Sequence, residues 1–206
     1  MRIDLSLCLV TDPGARLDPP ALALAAARGG ATMVQLRDKH ASDQAVADIA
    51  RAMKAVLAPL GVPLIINDRA AAARLAGADG VHVGQGDMPP AQVRTIMGPD
   101  AIIGLSIDHA DQVAHVDWSV VDYIGVGPVR ATPTKPDHAA PLGFGGLAAI
   151  CAAARCPAIA IGGIGAGDAR AVHLAGAAGM AVVSAICGAD DPEHAARALA
   201  DEWRAR

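Results

Sequence analysis

Aromatic residues and positive charge are scarce in this chain, and both shortages exclude classes of partner. Only 2% of the 206 residues are aromatic, and the formal net charge is −4. Nucleic-acid binders need a basic surface and stacking side chains, so this class is excluded. The chain also lacks an apolar stretch long enough to span a membrane. We therefore expect small-molecule partners, with neither nucleic acid nor membrane among them.

The cysteines of the sequence indicate neither a metal site nor a disulfide. The four cysteines, Cys8, Cys151, Cys156 and Cys187, lack the short paired spacing of a zinc site. Three of them lie in apolar sequence, which favours buried, reduced thiols. The first residues lead directly into a strand-like run without the apolar segment of a signal peptide. These features predict a cytoplasmic protein.

The order of apolar segments predicts a single-domain (β/α)8 TIM barrel over residues 1–206. Short Val/Ile/Leu-rich runs alternate with alanine-rich amphipathic stretches, and we count eight such pairs. A hydrophobic fraction of 53% suits strands that are covered on both sides. The predicted strands are Leu5 to Thr11, Thr32 to Leu36, Pro63 to Ile66, Gly80 to Val83, Ala101 to Leu105, Asp122 to Val126, Ala158 to Ile161 and Met180 to Val183.

Glycine marks the junctions of the predicted units. A glycine-rich pattern recurs in residues 29–34, 75–81 and 174–180. It places a residue that tolerates positive φ just past a helix end. The spacing of Val46, Ile49, Met53 and Val56 predicts an outer helix between the second and third strands. The stretch from Arg130 to Gly146, rich in Pro and Gly, is predicted to be a long loop and a candidate lid.

Polar residues gather after the strands, at the pole where barrel enzymes place their active sites. The chain has three lysines, and two of them, Lys39 and Lys135, fall in this ring beside Arg37. An arginine fork can clamp phosphate oxygens, and a lysine supplies a compact charge. Solvated loop charge is the alternative for each residue alone. Two loops that converge on one face favour an anion site.

Two aspartates, Asp68 and Asp87, follow the third and fourth predicted strands. Each could simply cap the N-terminus of the next helix. Mg2+ commonly takes one or two carboxylates and completes its coordination with water and substrate phosphate. Aspartates on neighbouring strands beside basic residues therefore suit an Mg2+-diphosphate complex.

The last two strands carry a second anion-site signal. Gly162-Gly163 and Ser184 occupy the position where many barrels bind phosphate with backbone N–H groups, although a glycine turn needed only for packing is the alternative. His82 lies inside the fourth strand and is interpreted as a satisfied core residue. The sequence lacks the motifs of the commonest hydrolases and nucleotidases.

Seven blocks in chain order resemble the thiamine-phosphate synthase family, and together they cover nearly the whole chain. The blocks are Gln35 to Lys39, Ile65 to Arg69, Gly80 to Pro89, Ile103 to Ser106, Gly125 to Pro128 with Thr132 to Lys135, Ile161 to Ile164, and Val183 to Ile186. The resemblance implies a transferase that joins 4-amino-5-hydroxymethyl-2-methylpyrimidine diphosphate to 4-methyl-5-(2-phosphoethyl)thiazole, or to its carboxylated form. The products would be thiamine phosphate and pyrophosphate.

The resemblance also implies a role for each matched residue. The pyrimidine diphosphate would be bound by Gln35, Leu36, Arg37, Asp38, Lys39, Asn67, Ser106 and Lys135. Of these, Arg37, Lys39, Ser106 and Lys135 would be catalytic. The thiazole phosphate would be bound by Thr132, Pro133, Thr134, Gly163, Val183 and Ser184. Asp68 and Asp87 would be the Mg2+ ligands, in a dissociative substitution that needs no protein nucleophile.

Two other functions fit parts of the same pattern. A thiazole tautomerase of the same barrel family would handle a thiazole phosphate, but it has no diphosphate to ionise. A non-catalytic barrel that senses a thiamine precursor would bind the thiazole phosphate and release no pyrophosphate. Arg130 departs from the apolar or aromatic residue common in the family. Exposed apolar residues on the outer helices leave both a monomer and a homo-oligomer open.

Overall fold

The computed structural model describes residues 3–132 and 139–206, and eight parallel strands close into a barrel. The strands are β1 (Leu7–Val10), β2 (Met33–Leu36), β3 (Leu64–Asn67), β4 (Gly80–Val83), β5 (Ile102–Ile107), β6 (Tyr123–Val126), β7 (Ala158–Ala160) and β8 (Gly179–Val182). Strand β1 pairs with β2 on one side and with β8 on the other, so the sheet has no free edge. The predicted (β/α)8 TIM barrel is confirmed.

Helices cover the outside of the barrel between successive strands. They are α1 (Pro19–Gly29), α2 (Asp43–Leu57), α3 (Ala70–Ala76), α4 (Pro90–Met97), α5 (Gly143–Ala153), α6 (Ala169–Leu174), α7 (Ser184–Cys187) and α8 (Pro192–Ala205). The helix predicted between the second and third strands is α2. It begins where Ser42 accepts a hydrogen bond from the N–H of Ala45, and it buries Val46 and Met53 as the spacing predicts.

The fifth unit departs from the predicted strand and helix alternation. A 3-10 helix, Ala110–His115, stands where an α-helix was expected, so that part of the prediction was wrong. Val113 is the residue that this segment buries, and the Gln112 side chain holds its start by accepting from the N–H groups of Asp108 and His109. Such a narrow apolar face favours a short 3-10 helix over a long amphipathic helix.

Residues inside the barrel form a packed core of their own. Successive residues of a strand point to opposite faces, so alternate side chains face inward. Buried residues that pack together here include Cys8, Met33, Ile65, Tyr123 and Ile159. The opposite faces of the strands pack against the helices in a larger cluster. The barrel interior is therefore filled below the cavity at its carboxyl pole.

Several predicted boundaries change in ways that bear on the site. Strand β5 continues through Ile107, so Ser106 lies within the strand, where it pairs with Gly125. Helix α5 begins at Gly143, which shortens the loop predicted to run to Gly146. Residues 133–138 of that loop lie outside the described residues.

The glycines that follow three helices adopt the conformation that the repeated pattern predicts. Gly30, Gly77 and Gly176 have φ values of 107°, 66° and 86°. A side chain at positive φ is strained, so glycine is favoured at these helix ends. These positions lie on the pole opposite the cavity, where they serve the fold.

The thiols are free, as predicted, although their burial differs. Cys8 and Cys187 are buried, whereas Cys151 and Cys156 are partly exposed. Burial raises the pKa of Cys8 to about 12 and that of Cys187 to about 11, so both are protonated thiols at neutral pH. Across residues 3–132 and 139–206, no helix combines the length and apolarity needed to cross a membrane.

Candidate active site

The carboxyl ends of the strands surround one cavity of about 610 Å3. The wall of this cavity includes predicted site residues from seven different stretches of the chain. They are Gln35, Arg37, Lys39, Asn67, Asp68, Asp87, Ser106, Thr132, Gly163, Val183 and Ser184. Parallel strands that close into a barrel bring their carboxyl ends to one pole, so residues distant in sequence become neighbours.

Of five further predicted residues, two are described by the structure and do not appear in the cavity wall. Leu36 is 2% exposed and belongs to the core between strand and helix. The Asp38 carboxylate accepts hydrogen bonds from the N–H groups of His40 and Ala41, which lower its pKa. Asp38 therefore shapes the loop after β2. The other three, Pro133, Thr134 and Lys135, lie outside the described residues.

Asp68 and Asp87 form an acidic pair at the mouth of the barrel. Burial, together with the neighbouring Asp87 carboxylate, raises the pKa of Asp68 to about 6. Asp68 has a φ of 63°, and its N–H donates to the carbonyl of His82 at 2.8 Å. A non-glycine residue with a left-handed backbone conformation is strained, and the surrounding structure must hold it in that conformation.

Neither aspartate caps a helix, so the alternative considered for them was wrong. The cap positions of α3 and α4 are Arg69 and Pro89, and neither makes a side-chain capping bond. Asp87 instead accepts from the N–H of Gly84 at 2.7 Å, which closes the turn after β4. Backbone groups of β4 and of the turn after it thereby hold both members of the acidic pair.

The carboxylate oxygens of this acidic pair are suitable ligands for a magnesium ion that a substrate would also coordinate. Two adjacent carboxylates repel each other, and a proton or a cation relieves the repulsion. The described residues contain no group of three or more His, Cys, Asp or Glu side chains placed to hold a metal alone. Mg2+ commonly takes one or two carboxylates and fills its remaining positions with water and phosphate oxygens.

Two cations, Arg37 and Lys39, line the cavity beside the acidic pair. The charge of Lys39 acts on Asp68 and opposes the rise of its pKa. Backbone contacts fix the loop that carries both cations. The N–H of Arg37 donates to Thr11 Oγ1 at 3.0 Å, and Arg69 donates to the carbonyl of Lys39 at 3.1 Å. Acidic and basic groups thus face a common space, as an Mg2+-diphosphate site requires.

The opposite wall comes from the loops after β6, β7 and β8. Gly162 and Gly163 turn there with φ values of 89° and 65°. A Cβ on Gly162 would lie 2.5 Å from Pro128 Cα, and one on Gly163 would lie 2.7 Å from Arg130 Cβ. Glycine is therefore needed here for close packing as well as for positive φ. The turn leaves backbone groups facing the cavity next to Ser184.

Arg130 stabilises this turn through Asp168, a partner that no sequence motif indicated. Its guanidinium donates to both carboxylate oxygens of Asp168 at 2.7 Å and lies 5.0 Å from the centre of the Phe144 ring. Asp168 is 7% exposed and also accepts from the N–H of Gly165 at 3.0 Å. The residue that departs from the family pattern thus ties the β6 loop to the β7 loop.

His82 was interpreted as a satisfied core residue, and both of its ring nitrogens do have partners. Nδ1 lies 2.9 Å from the Tyr123 hydroxyl, and Nε2 lies 2.9 Å from the Ser106 hydroxyl. Burial lowers the pKa of His82 to about 4, so the ring is neutral. Sequence reasoning missed that this histidine also reaches the cavity and contacts a predicted site residue.

The geometry can bind two phosphorylated groups at one pole. One side offers an acidic pair with Arg37 and Lys39, and the other offers the Gly162-Gly163 turn with Ser184. The described cavity wall contains no cysteine and pairs its histidine with neutral hydroxyls. Charge stabilisation and orientation are the chemistry that such a wall supplies.

Comparison with known proteins agrees with this geometry. Residues 7–186 match the family model described as thiamine monophosphate synthase. A thiamine-phosphate synthase from Xanthobacter autotrophicus is 53% identical over 95% of this chain and 94% of its own length. One from Desulfitobacterium hafniense is 44% identical over 99% of this chain and all of its own length.

A solved structure extends the agreement to three dimensions. The thiamine phosphate pyrophosphorylase from Pyrococcus furiosus superposes with a TM-score of 0.87 at 30% identity, covering 98% of both chains. Fold, motif order and relatives all lead to one conclusion: the chain belongs to the thiamine monophosphate synthase family, and it is a transferase of thiamine biosynthesis.

Proposed function

We propose that the protein condenses 4-amino-5-hydroxymethyl-2-methylpyrimidine diphosphate with 4-methyl-5-(2-phosphoethyl)thiazole to give thiamine phosphate and pyrophosphate. With the carboxylated form of the thiazole, CO2 would be released as well. The observation that carries the proposal is the cavity itself, which has an acidic and cationic wall opposite a glycine-turn wall. One wall suits a diphosphate and the other a monophosphate. The named substrates come from the family resemblance alone.

The acidic wall would receive the diphosphate. Asp68 and Asp87 would hold Mg2+, which supplies positive charge to the departing pyrophosphate when it is bound. Arg37 and Lys39 lie on the same wall and would bind the diphosphate oxygens. Lys135, which lies outside the described residues, is proposed as a further cation on the lid.

The pyrimidine ring would lie over the barrel floor, against Gln35, Asn67 and Ser106. The bond from the ring methylene to the diphosphate oxygen breaks, and the electron pair leaves with pyrophosphate. The aminopyrimidine stabilises the resulting cation, and the thiazole nitrogen then forms the new C–N bond. This sequence requires orientation and exclusion of water rather than a protein nucleophile.

The glycine-turn wall would fix the second substrate. Backbone N–H groups near Gly163 and Ser184 suit a monoester phosphate, and Val183 and Thr132 line the same side. Pro133 and Thr134 are proposed to complete this subsite. Holding the thiazole here would direct its nitrogen towards the ring methylene, which converts a bimolecular step into an intramolecular one.

The test is an incubation with both ring substrates, with and without Mg2+, in which thiamine phosphate and pyrophosphate are measured together. We expect equal amounts of both products, and loss of both when the metal is chelated. A thiazole tautomerase would isomerise its substrate without a need for Mg2+, and a sensor would bind the thiazole phosphate without releasing pyrophosphate. Either result would overturn the proposal.

A further inference from the structure

Two consecutive peptide groups of the loop after β7 direct their carbonyl oxygens to Arg130. The N–H of Arg130 donates to the carbonyl of Gly162 at 2.9 Å, and its guanidinium Nη1 donates to the carbonyl of Gly163 at 3.2 Å. Both peptide bonds are trans, because the cis bond of the described residues is Gly127-Pro128. Arg130 therefore fixes the orientation of both peptide groups.

The N–H groups of the same two peptides point the opposite way. In a planar trans peptide the N–H lies opposite the carbonyl oxygen. The N–H groups of Gly163 and Ile164 are therefore directed away from Arg130, and both residues line the cavity. Within residues 3–132 and 139–206, neither N–H donates to a protein acceptor. Successive N–H groups with this orientation form a concavity that binds anions.

Asp168 holds the guanidinium that fixes the Gly163 peptide. Both of its carboxylate oxygens accept from Arg130 at 2.7 Å, and the Phe144 ring centre lies 5.0 Å from the guanidinium carbon. A bidentate pair of this kind fixes the plane of the guanidinium as well as its position. The pair thereby sets the direction in which Nη1 reaches the Gly163 carbonyl.

The last helix, α8, holds the segment that carries Asp168. Glu202 accepts from the N–H of Gly167 at 2.8 Å and from the N–H of Ala169 at 2.9 Å, on either side of Asp168. These bonds fix the backbone from which the Asp168 side chain extends. A series of contacts therefore runs from α8 through Asp168 and Arg130 to the Gly163 peptide.

We propose that Arg130 and Asp168 are positioning residues that hold the N–H groups of Gly163 and Ile164 towards the monoester phosphate of the thiazole substrate. Because Asp168 neutralises Arg130, the pair adds no net charge, and its effect on the phosphate acts through the backbone. Apolar side chains at position 130, which are common in the family, could not donate to the Gly163 carbonyl. The inference rests on the proposed function, because it assigns what shapes the monophosphate subsite of that reaction.

Two variants separate positioning from stability. Arg130→Met leaves the buried Asp168 carboxylate without this cation, so it should lower both stability and phosphate affinity. Adding Asp168→Asn removes both charges, and an asparagine there can still accept from the N–H of Gly165. The double variant should regain the lost stability and still bind the thiazole phosphate about tenfold more weakly than wild type, the loss of roughly one net hydrogen bond.

Titration calorimetry with the thiazole phosphate and with its dephosphorylated alcohol measures this effect, and urea unfolding measures stability. Affinity for the alcohol should not change, because that probe lacks the group that the two N–H groups bind. A double variant that regains wild-type affinity together with stability would overturn the proposal. The double variant decides the question even if Arg130→Met alone fails to fold.

Nuclear magnetic resonance observes the two N–H groups directly. 1H–15N spectra would be recorded while inorganic phosphate or the thiazole phosphate is added. We expect the amide signals of Gly163 and Ile164 to move downfield in the wild type and to move much less in the double variant. Wild-type signals that do not move, or equal movement in the double variant, would overturn the proposal.

Arg94→Met is the matched control, because Arg94 makes the same kinds of contact at the pole where α4 ends and β5 begins. It pairs with Asp122 at 2.7 Å and donates to the carbonyls of Pro99 at 3.0 Å and Val120 at 2.9 Å. The control should lower stability and leave phosphate affinity unchanged. A wild type that binds phosphate at the two N–H groups but forms no thiamine phosphate would refute the proposed function and leave the positioning role supported.

Discussion

Replacing Asp68 with asparagine is expected to stabilise the metal-free protein at neutral pH and to abolish Mg2+-dependent turnover. Asparagine tolerates the left-handed backbone that Asp68 adopts, with its φ of 63°, so the substitution adds little strain. Its amide can also donate a hydrogen bond to Asp87. The substitution therefore removes the negative charge while it preserves shape and contacts.

The sign of the effect follows from the raised pKa. The pKa of Asp68 rises from 3.8 to about 6 on folding, so the metal-free folded state favours the protonated carboxyl. That stabilising contribution is complete below about pH 4 and is lost as the pH rises through about 6. At neutral pH the wild type carries an unfavourable charge that the variant lacks.

The shift of about two units corresponds to an upper bound of ~3 kcal/mol, at ~1.4 kcal/mol per unit. Asp68 is only partly buried, and solvent screening reduces the expected gain to about 1–2 kcal/mol. Urea unfolding at neutral pH with a chelator measures it. Addition of Mg2+ with pyrophosphate should reverse the order, because the wild-type carboxylate would then face a cation.

The matched control is Asp38→Asn. Backbone N–H groups of His40 and Ala41 lower the pKa of Asp38, so its charge contributes stability above its unfolded pKa that is lost as the pH falls. This variant should be slightly less stable at neutral pH. An Asp68→Asn protein that unfolds more easily than wild type in chelator would refute the reasoning.

Three further substitutions test other parts of the structure. Gly104→Ala should lose about 1–3 kcal/mol in urea unfolding, because its Cβ would lie 2.3 Å from Tyr123 Cζ, and wild-type stability would contradict the packing described. Gly163→Ala should weaken binding of the thiazole phosphate by about tenfold in calorimetry, since that backbone, with its φ of 65°, must move. Lys135→Ala should lower kcat by ~100-fold with an unchanged unfolding midpoint; wild-type turnover would exclude the proposed cation.

Much of the architecture could be predicted because a parallel barrel repeats one pattern. Apolar runs located the eight strands, and closure of the ring brings the residues after those runs to one pole. Placement of Arg37, Asp68 and Asp87 in one cavity follows from that rule alone. The 3-10 helix at Ala110–His115 was not predicted, because its weak apolar pattern is also what a short α-helix would show.

The contacts between loops could not be predicted in the same way. Arg130 and Asp168 are far apart along the chain, and no local pattern connects them. His82 within an apolar strand looks the same whether it serves the core or the site. A clue exists in Gly104 and Gly125, whose missing side chains leave room for its ring. The clue can be interpreted only once the strand register is known, because the register places these glycines beside His82.

The filled barrel floor limits how ligands move through the protein. In the part of the chain that the structure describes, Tyr123, Met33 and Ile65 are fully buried beneath the cavity and fill the barrel between it and the opposite pole. The two proposed substrates would then enter and leave through the mouth at the carboxyl pole. The substrate that binds deeper in the cavity would have to enter first and leave last. Binding and release at this site would therefore be ordered.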